Sequence, residues 1–285
     1  MERGHKKMQE QNVFGNKSYE YAIGRIRASE CPPLSIEQWA RLRNSDFETA
    51  SKLLFNFGYP SEANVYNSIE REGKNVNLFI REISPDESLT DLLFFEVDAL
   101  NLKMFKKALL VGRHVDINLL SRGGFDPELL RVCAEHNDYS LLGEDIAQAL
   151  SSLEQMVDPC KISCLIDIAM YQHALLCAKK KNSKILVSLF SQYALCKNIQ
   201  TSIRLQNLHL DSREYAYVFL PVSGESGADY GKYTLGDANK MLQNILFDCG
   251  TDGGMGVIAQ YYFMKKNEAS SLRLLFTEKE AAGYD

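Results

Sequence analysis

Apolar residues recur at three- and four-residue steps through most of this chain, and that spacing restricts its fold more than any other feature. Such spacing places side chains on one face of an α-helix. Only the stretch 215–222, YAYVFLPV, has enough aromatic and β-branched residues to compete as a strand, and it can equally be a helix end that runs into a loop. We therefore predict an all-α fold whose helices each bury one face against others. The stripes cover residues 37–57, 92–110, 164–177, 185–205 and 257–276.

Charge and cysteine content narrow the class of protein. The chain has 37 acidic residues against 32 Lys and Arg, a net charge of -5, so it lacks the basic field that would hold a nucleic-acid backbone. Its seven cysteines include no CxxC pair, which favours free thiols in a reducing compartment. No signal-peptide core is present at the N-terminus, and no later run approaches the roughly 20 apolar residues of a membrane span. We expect a soluble, cytoplasmic protein that binds no nucleic acid and reaches a membrane only through partners.

Three helix starts carry capping signals and follow similar breaks in the apolar pattern. Ser35 with Gln38 forms a capping-box sequence, Asp126 stands before a proline, and Thr234 has an acid three residues later. These signals predict that helices begin at three corresponding places in a repeat.

Each unit of this repeat also contains an Asn followed six residues later by a cation. The third unit is short of a helix or two, and the amphipathic stretch 18–30 is the natural candidate to complete it. We infer three helical units, residues 18–120, 121–215 and 216–285, with helix 18–30 packing on the C-terminal unit and residues 1–17 disordered. The pairs are Asn101 with Lys107, Asn198 with Arg204, and Asn267 with Arg273, where Glu268 is the alternative aligned residue.

Asp98 and Asn101 stand one turn apart within an otherwise apolar stretch. Burial of such groups is costly unless they are hydrogen-bonded, so we predict satisfied polar contacts at a helix junction and keep a catalytic or ion-carrying carboxylate as the alternative. The structural polar positions of the repeat are thus Asp98, Asn101, Asn198, Arg204, Glu268 and Arg273.

The sequence offers no clear catalytic, cofactor or metal site. Residues 15–18, GNKS, lack the upstream glycine and the preceding strand of a phosphate-binding loop. The best metal-like group is Cys160 with Cys164 and His173 with Cys177, two pairs at four-residue spacing. Structural zinc sites usually use tighter CxxC knuckles, and Cys is often buried as a small apolar residue, so we expect core packing there. We predict no enzyme activity, no cofactor and no small-molecule substrate.

The opening YEYAIGRIRASE followed by LSIEQWARLRNSDFETASKLLFNFGYP resembles the start of the C-type (d-type) central-stalk family of the V-type ATP synthases and ATPases. The resemblance covers residues 18–279, and it departs where Tyr193 and Leu195 occupy the Glu and Asp positions of the second repeat copy. FFEVDALNLKMFKKALL, CKNIQTSIRL and YYFMKKNEASSLRLLFTEK are similar to three further family helices, through Glu96, Val97, Asp98, Asn101 and Leu102, then Asn198, Ile199, Thr201 and Arg204, then Lys265, Glu268, Leu272 and Arg273.

The resemblance implies a funnel-like body of three pseudo-threefold helical-bundle domains on the cytoplasmic face of the membrane. A protein of this family joins the central rotor shaft to the membrane rotor ring and transmits torque for ion transport. Because loops on a rigid scaffold commonly carry binding, we place the partner contacts at Arg122, Gly123, Gly124 and Phe125 and in the segment from Gly224 to Lys232.

Two other classes of protein remain open. A helical interaction scaffold of the solenoid type would show regular repeats of about 33 to 47 residues, shorter than the units here. An unrecognised enzyme would use Asp98 or the Cys/His group.

Overall fold

The computed structural model describes residues 17–29, 31–222 and 227–283. These residues form helices and their connections without a β-strand, so the predicted all-α class is confirmed. Residues 1–16 of the predicted disordered N-terminus, and Gly224, lie outside the described residues. The α-helices are α1 (Tyr19–Arg27), α2 (Ile36–Arg43), α3 (Phe47–Asn56), α4 (Val65–Ile83), α5 (Glu87–Thr90), α6 (Phe95–Leu110), α7 (Pro127–His136), α8 (Glu144–Ala149), α9 (Pro159–Lys180), α10 (Lys184–Asn207), α11 (Leu235–Thr251) and α12 (Met255–Ala282).

Short 3₁₀ helices fill several of the connections. The aromatic stretch 215–222 contains one of them, so this segment is a helical turn that leads into a loop. The 3₁₀ helices are Asp91–Phe94, Ile117–Leu119, Ser140–Leu142, Leu153–Gln155, Ala216–Val218 and Gly227–Lys232.

The three predicted helix starts are confirmed by their capping hydrogen bonds. The Ser35 hydroxyl accepts from the Gln38 N–H at 3.2 Å, and the Gln38 side chain accepts from the Ser35 N–H at 2.8 Å. The Asp126 carboxylate caps α7 by accepting from the backbone N–H two residues on, at 2.8 Å. Thr234 and Asp237 form the reciprocal pair that begins α11. Each cap satisfies backbone donors that a helix end would otherwise leave unpaired.

One apolar core runs from Ala22 of α1 to Phe263 of α12, with contributions from α4, from α6 to α11 and from α12 itself. A second cluster joins α2, α3 and the start of α4 to the C-terminal half of α12, where the rings of Phe47 and Phe276 lie 5.6 Å apart. A third cluster joins α10 to α11. Helix α1 packs on α12 and α4, and the hydroxyls of Ser29 and Tyr261 lie 3.2 Å apart. Both ends of the described chain therefore belong to one packed body.

Helix α9 departs from the sequence expectation about membrane spans. It has 22 residues and a mean hydropathy of 1.2 over its most apolar window, which makes it long and apolar enough to cross a bilayer by length and composition. In this structure α9 packs against α6, α8 and α10. Asp167 of α9 also pairs with Lys103 of α6 at 2.7 Å. The sequence expectation considered continuous apolar runs, and polar residues interrupt the apolar residues of α9.

Candidate functional site: polar anchors on three long helices

Asp98 and Asn101 of α6 hold the segment that precedes α7. The Asp98 carboxylate, 2% exposed, accepts from the N–H groups of Gly124 at 2.9 Å and Phe125 at 3.1 Å. The Asn101 side chain donates to the carbonyl of Ser121 at 2.9 Å. Burial raises the pKa of Asp98 to about 7, although the two N–H bonds act in the opposite direction. The predicted role, a satisfied polar contact at a helix junction, is what these bonds provide.

The same segment contains the predicted contact loop, and most of it faces inward. A Cβ atom on Gly123 would lie 1.9 Å from a carboxylate oxygen of Asp98, so only glycine permits this approach. Gly123 is buried, and its carbonyl accepts from the Arg81 guanidinium. Gly124 and Phe125 are half-buried, whereas Arg122 is exposed. Of these four loop residues, only Arg122 offers an exposed side chain to a partner.

Asn198 of α10 holds the segment that precedes α11. Its amide donates to the Leu220 carbonyl at 2.8 Å and to the Tyr230 hydroxyl at 2.9 Å. Its carbonyl accepts from the Leu220 N–H at 2.8 Å. Asn198 is 1% exposed, so these bonds replace the water that its amide would otherwise bind. In the second predicted contact region, Lys232 is exposed and its ammonium lies 5.1 Å from the ring of Tyr233.

Glu268 of α12 holds the segment that precedes α2. Its carboxylate accepts from the Leu34 N–H and from the Tyr59 hydroxyl, each at 2.5 Å. Lys265, one turn earlier, pairs with Glu268 at 2.9 Å and with Glu72 of α4 at 3.1 Å. Burial acts against the charge on Lys265, but the two carboxylates outweigh it and hold its pKa above the usual value.

The three anchors share one arrangement. Asn101, Asn198 and Glu268 each lie on a long helix and bind the segment that precedes a capped helix start. Glu268 is buried while Asn267 is half-buried, so Glu268 is the residue of the third unit that corresponds to the two asparagines. The three cations named with the anchors are exposed: Lys107, Arg204 and Arg273.

Three side chains, each five residues before an anchor, meet where α6, α10 and α12 come together. They are Glu96, Tyr193 and Phe263. The Tyr193 hydroxyl donates to Glu96, and the rings of Tyr193 and Phe263 lie 5.8 Å apart. Lys266 pairs with Glu96 and lies 5.5 Å from the Tyr193 ring. Burial raises the pKa of Glu96, and Lys197 opposes that rise. One acidic and one basic side chain therefore meet beside aromatic rings at this junction.

A groove of about 520 Å³ opens beside the junction between α4, α6 and α12. Its floor includes Glu96, Lys265 and Lys266, and its rim includes the exposed side chains of Leu100 and Met104. The groove thus combines ion pairs in its interior with apolar edges.

The Cys/His group does not form a metal cluster. No three His, Cys, Asp or Glu side chains within the described ranges are arranged to hold a metal ion. Cys160 is exposed, and Cys164 and Cys177 are half-buried, so the expected core packing is wrong for Cys160. His173 instead bonds to Asp145, with its Nδ1 at 2.8 Å from Oδ2.

Sequence reasoning missed several residues that complete the anchors. Arg81 and Asp91, paired at 2.5 Å, come from α4 and from the 3₁₀ turn before α6, and no sequence spacing links them. Tyr59 and Glu72 lie about 200 residues before their partners on α12, so their role depends on the tertiary fold. For Tyr193, a signal existed, because it stands where the first repeat copy has Glu96.

Comparison with known proteins adds no family assignment. No protein-family model matches the chain, and no curated protein matches it.

Proposed function

We propose that this protein is a non-catalytic central-stalk component of a V-type rotary ATPase or ATP synthase. It sits on the cytoplasmic face of the membrane, joins the central rotor shaft to the ring of membrane rotor subunits, and transmits torque between them for ion transport. On this proposal its three helical units form a pseudo-threefold, funnel-like body.

The observation that carries the proposal is the threefold recurrence of one contact. Asn101, Asn198 and Glu268 each fasten the long helix of one unit to the segment that opens the next unit. The third contact joins α12 back to the segment ahead of α2, so the set closes on itself. The resemblance noted in the sequence falls on these same residues and supports the same assignment.

A coupling protein must deform little under load, and the packing supports that role. The main core is continuous from α1 to α12, and packed protein interiors have low compressibility and transmit strain. The buried anchors add bonds between units that would have to break before one unit could shift against another. Torque applied to one unit would therefore reach the others.

We place the shaft contact at the groove between α4, α6 and α12. Arg122 is exposed and directly follows residues 119–121, which line the groove, and Arg273 lines it from α12. These two cations beside the apolar rim provide both charge and apolar surface for a helical partner.

A pull-down from native membranes with the full chain as bait tests the proposal. We expect the wild-type protein to recover rotor-shaft and ring subunits, and we expect Arg122→Glu with Arg273→Glu to lose most of the shaft subunits. The matched control is Lys161→Glu with Lys240→Glu, which makes the same charge change at exposed sites outside the groove. Absence of rotor subunits with the wild-type bait would overturn the function. Equal recovery by the two double variants would overturn the groove assignment alone.

A further inference from the structure

Cys177, His173 and Asp145 bring a thiol, an imidazole and a carboxylate together at the contact between α8 and α9. The Sγ atom of Cys177 lies 3.6 Å from Nε2 of His173, and Nδ1 of His173 lies 2.8 Å from Oδ2 of Asp145. The first pair is one helical turn apart on α9, and the third residue comes from α8. Nothing in the proposed stalk function uses these residues.

The order of the three groups fixes the proton arrangement on the imidazole. A carboxylate only accepts, so Nδ1 carries the hydrogen that it donates to Asp145, and Nε2 is left unprotonated. The Cys177 sulfur lies beside the ring, 3.6 Å from Nε2 and 4.0 Å from Nδ1, so the unprotonated nitrogen is the nearer of the two. A nucleophile, a base within reach and a group that orients the base are the elements of an activated thiol.

The surroundings of Cys177 raise the pKa of its thiol, so its reaction as a nucleophile requires His173 as a base. Burial raises the pKa of the Cys177 thiol, and the charge of Asp145 raises it further, while Lys180 and Lys181 act the other way. Little thiolate is therefore present at neutral pH without a proton acceptor, and attack by this sulfur depends on transfer of its proton to His173.

Two lysines follow the thiol by about one turn, at the C-terminal end of α9. Lys180 and Lys181 are three and four residues after Cys177, and both are exposed. The Lys181 ammonium donates to the Ser88 hydroxyl at 2.6 Å, which orders its side chain. A small molecule with carboxylates would be held beside the sulfur by these two ammonium groups.

We infer that Cys177 is a site of reversible mixed-disulfide formation with small anionic disulfides, with His173 as the base. The Cys177 sulfur attacks one sulfur of the disulfide as its proton passes to Nε2 of His173. A new S–S bond forms, the original S–S bond breaks, and the departing thiolate takes the proton from the imidazolium. The disulfide supplies the oxidising equivalents, so one thiol and one disulfide give one mixed disulfide and one thiol.

The chain provides a matched comparison on the same helix. Cys164 is half-buried like Cys177, but no described imidazole is hydrogen-bonded to it. Burial raises the pKa of the Cys164 thiol to about 12, so a faster reaction at Cys177 supports the proposed base only if His173→Gln removes the difference. A Cys160→Ser background removes the exposed neighbour of Cys164.

The experiment measures site-resolved rates of reaction with oxidised glutathione at neutral pH, by mass spectrometry of the full chain after digestion. We expect Cys177 to react about tenfold or more faster than Cys164, since general bases commonly contribute about 10²-fold or more. We expect His173→Gln to bring the two rates together. Lys180→Gln with Lys181→Gln should slow oxidised glutathione but leave the neutral bis(2-hydroxyethyl) disulfide unchanged.

Two further measurements keep the test decisive if His173→Gln disturbs the fold. Labelling of the buried Cys31, Cys133, Cys196 and Cys249 reports unfolding in the same sample. Asp145→Asn should slow Cys177 without changing Cys164, and Asp145→Glu should restore the rate if Asp145 positions the base. The inference is overturned if Cys177 reacts no faster than Cys164, or if folded His173→Gln retains the wild-type rate.

Discussion

The carboxylate of Glu268 accepts a hydrogen bond from the backbone N–H of Leu34, a residue 234 positions earlier in the chain. Glu268 also pairs with Lys265, whose ammonium reaches Glu72 of α4. Helix α12 is thereby fixed to α4 and to the segment that begins α2. The last long helix of the chain thus completes a set of contacts that begins near its N-terminus.

Lys265→Met tests how much this buried ion group contributes. Removal of the ammonium leaves Glu72 and Glu268 facing each other with little water to solvate them. We expect a loss of about 3–5 kcal/mol in the free energy of unfolding, the usual cost when one partner of a buried pair is removed. Denaturant titration followed by circular dichroism measures it.

The control for Lys265→Met is Lys52→Met. Lys52 pairs with Glu48 at 2.7 Å, but both side chains are largely exposed. We expect no measurable change in the midpoint, because exposed ion pairs contribute little. Similar losses in the two variants would contradict a special role for the buried group.

Gly123→Ala tests the close approach of the loop to Asp98. The added methyl group would lie 1.9 Å from the Asp98 carboxylate, so the loop or the carboxylate must move and the bonds to Gly124 and Phe125 weaken. We expect a loss on the order of 1–3 kcal/mol in the free energy of unfolding. Gly73→Ala is the matched control, since a Cβ atom there meets nothing within 4 Å and α4 should gain up to about 1 kcal/mol. An unchanged free energy of unfolding in Gly123→Ala would contradict this prediction, because it would show that the loop moves away from Asp98 at no cost.

Asp98 predicts a specific dependence of stability on pH. In the unfolded chain its carboxyl loses its proton near pH 4, whereas burial keeps it protonated in the folded protein to about pH 7. Between these values the folded state binds more protons, so this contribution is full below about pH 4 and is lost as the pH rises toward 7. The folded and unfolded pKa values of Asp98 differ by about three, which limits its contribution to the free energy of unfolding to at most about 4 kcal/mol.

Asp98→Asn removes this titration. The asparagine side chain has one oxygen in place of two, so it cannot replace both bonds from the N–H groups of Gly124 and Phe125. We therefore expect the variant to be less stable than the wild type at low pH by about 1–3 kcal/mol. Toward neutral pH the gap should narrow, because only the wild type loses stability through Asp98. Unfolding free energies at several pH values measure the gap, and a constant gap would contradict the assignment.

The sequence predicted what depends on local chemistry. Helical periodicity indicated the all-α class, and the caps at Ser35, Asp126 and Thr234 were visible because each uses residues within three positions of the helix start. The bonded state of Asp98 followed from a general rule, that a carboxylate in an apolar helix needs donors. None of these predictions required knowledge of which helices touch.

The remaining features depend on contacts between distant parts of the chain. The contact loop seemed available because Gly123 and Gly124 are typical of exposed turns, but here their missing side chains let the backbone approach Asp98. Glu268 stands three residues after Lys265 and was visible as a partner, but nothing indicated the second carboxylate, since Glu72 comes from α4. The sequence showed Cys177 and His173 as an i,i+4 pair, but the carboxylate of Asp145 comes from α8 and was not predicted.

The two asparagine anchors differ in the number of bonds they make, and that difference gives the last prediction. Asn198 bonds both the N–H and the carbonyl of Leu220, whereas Asn101 donates a single bond to the carbonyl of Ser121. Asn198 also donates to the Tyr230 hydroxyl, so Asn198→Ala removes three hydrogen bonds, two of them to the backbone, whereas Asn101→Ala removes one. Since each group left unsatisfied costs about 1–3 kcal/mol, we expect the Asn198 variant to lose at least twice as much stability.

Amide hydrogen exchange distinguishes a local effect of each alanine variant from destabilisation of the whole fold. Each anchor fastens one segment, so Asn198→Ala should raise exchange in residues 216–222 and Asn101→Ala in residues 119–125, each without the other. Increased exchange in both segments in either variant would mean that the anchors act as one cooperative unit. Equal losses of stability would mean that the additional bonds of Asn198, to the Leu220 N–H and the Tyr230 hydroxyl, contribute little. Because each alanine removes a side chain already enclosed by the core, the comparison cancels most of the cavity cost and leaves the difference in bonding.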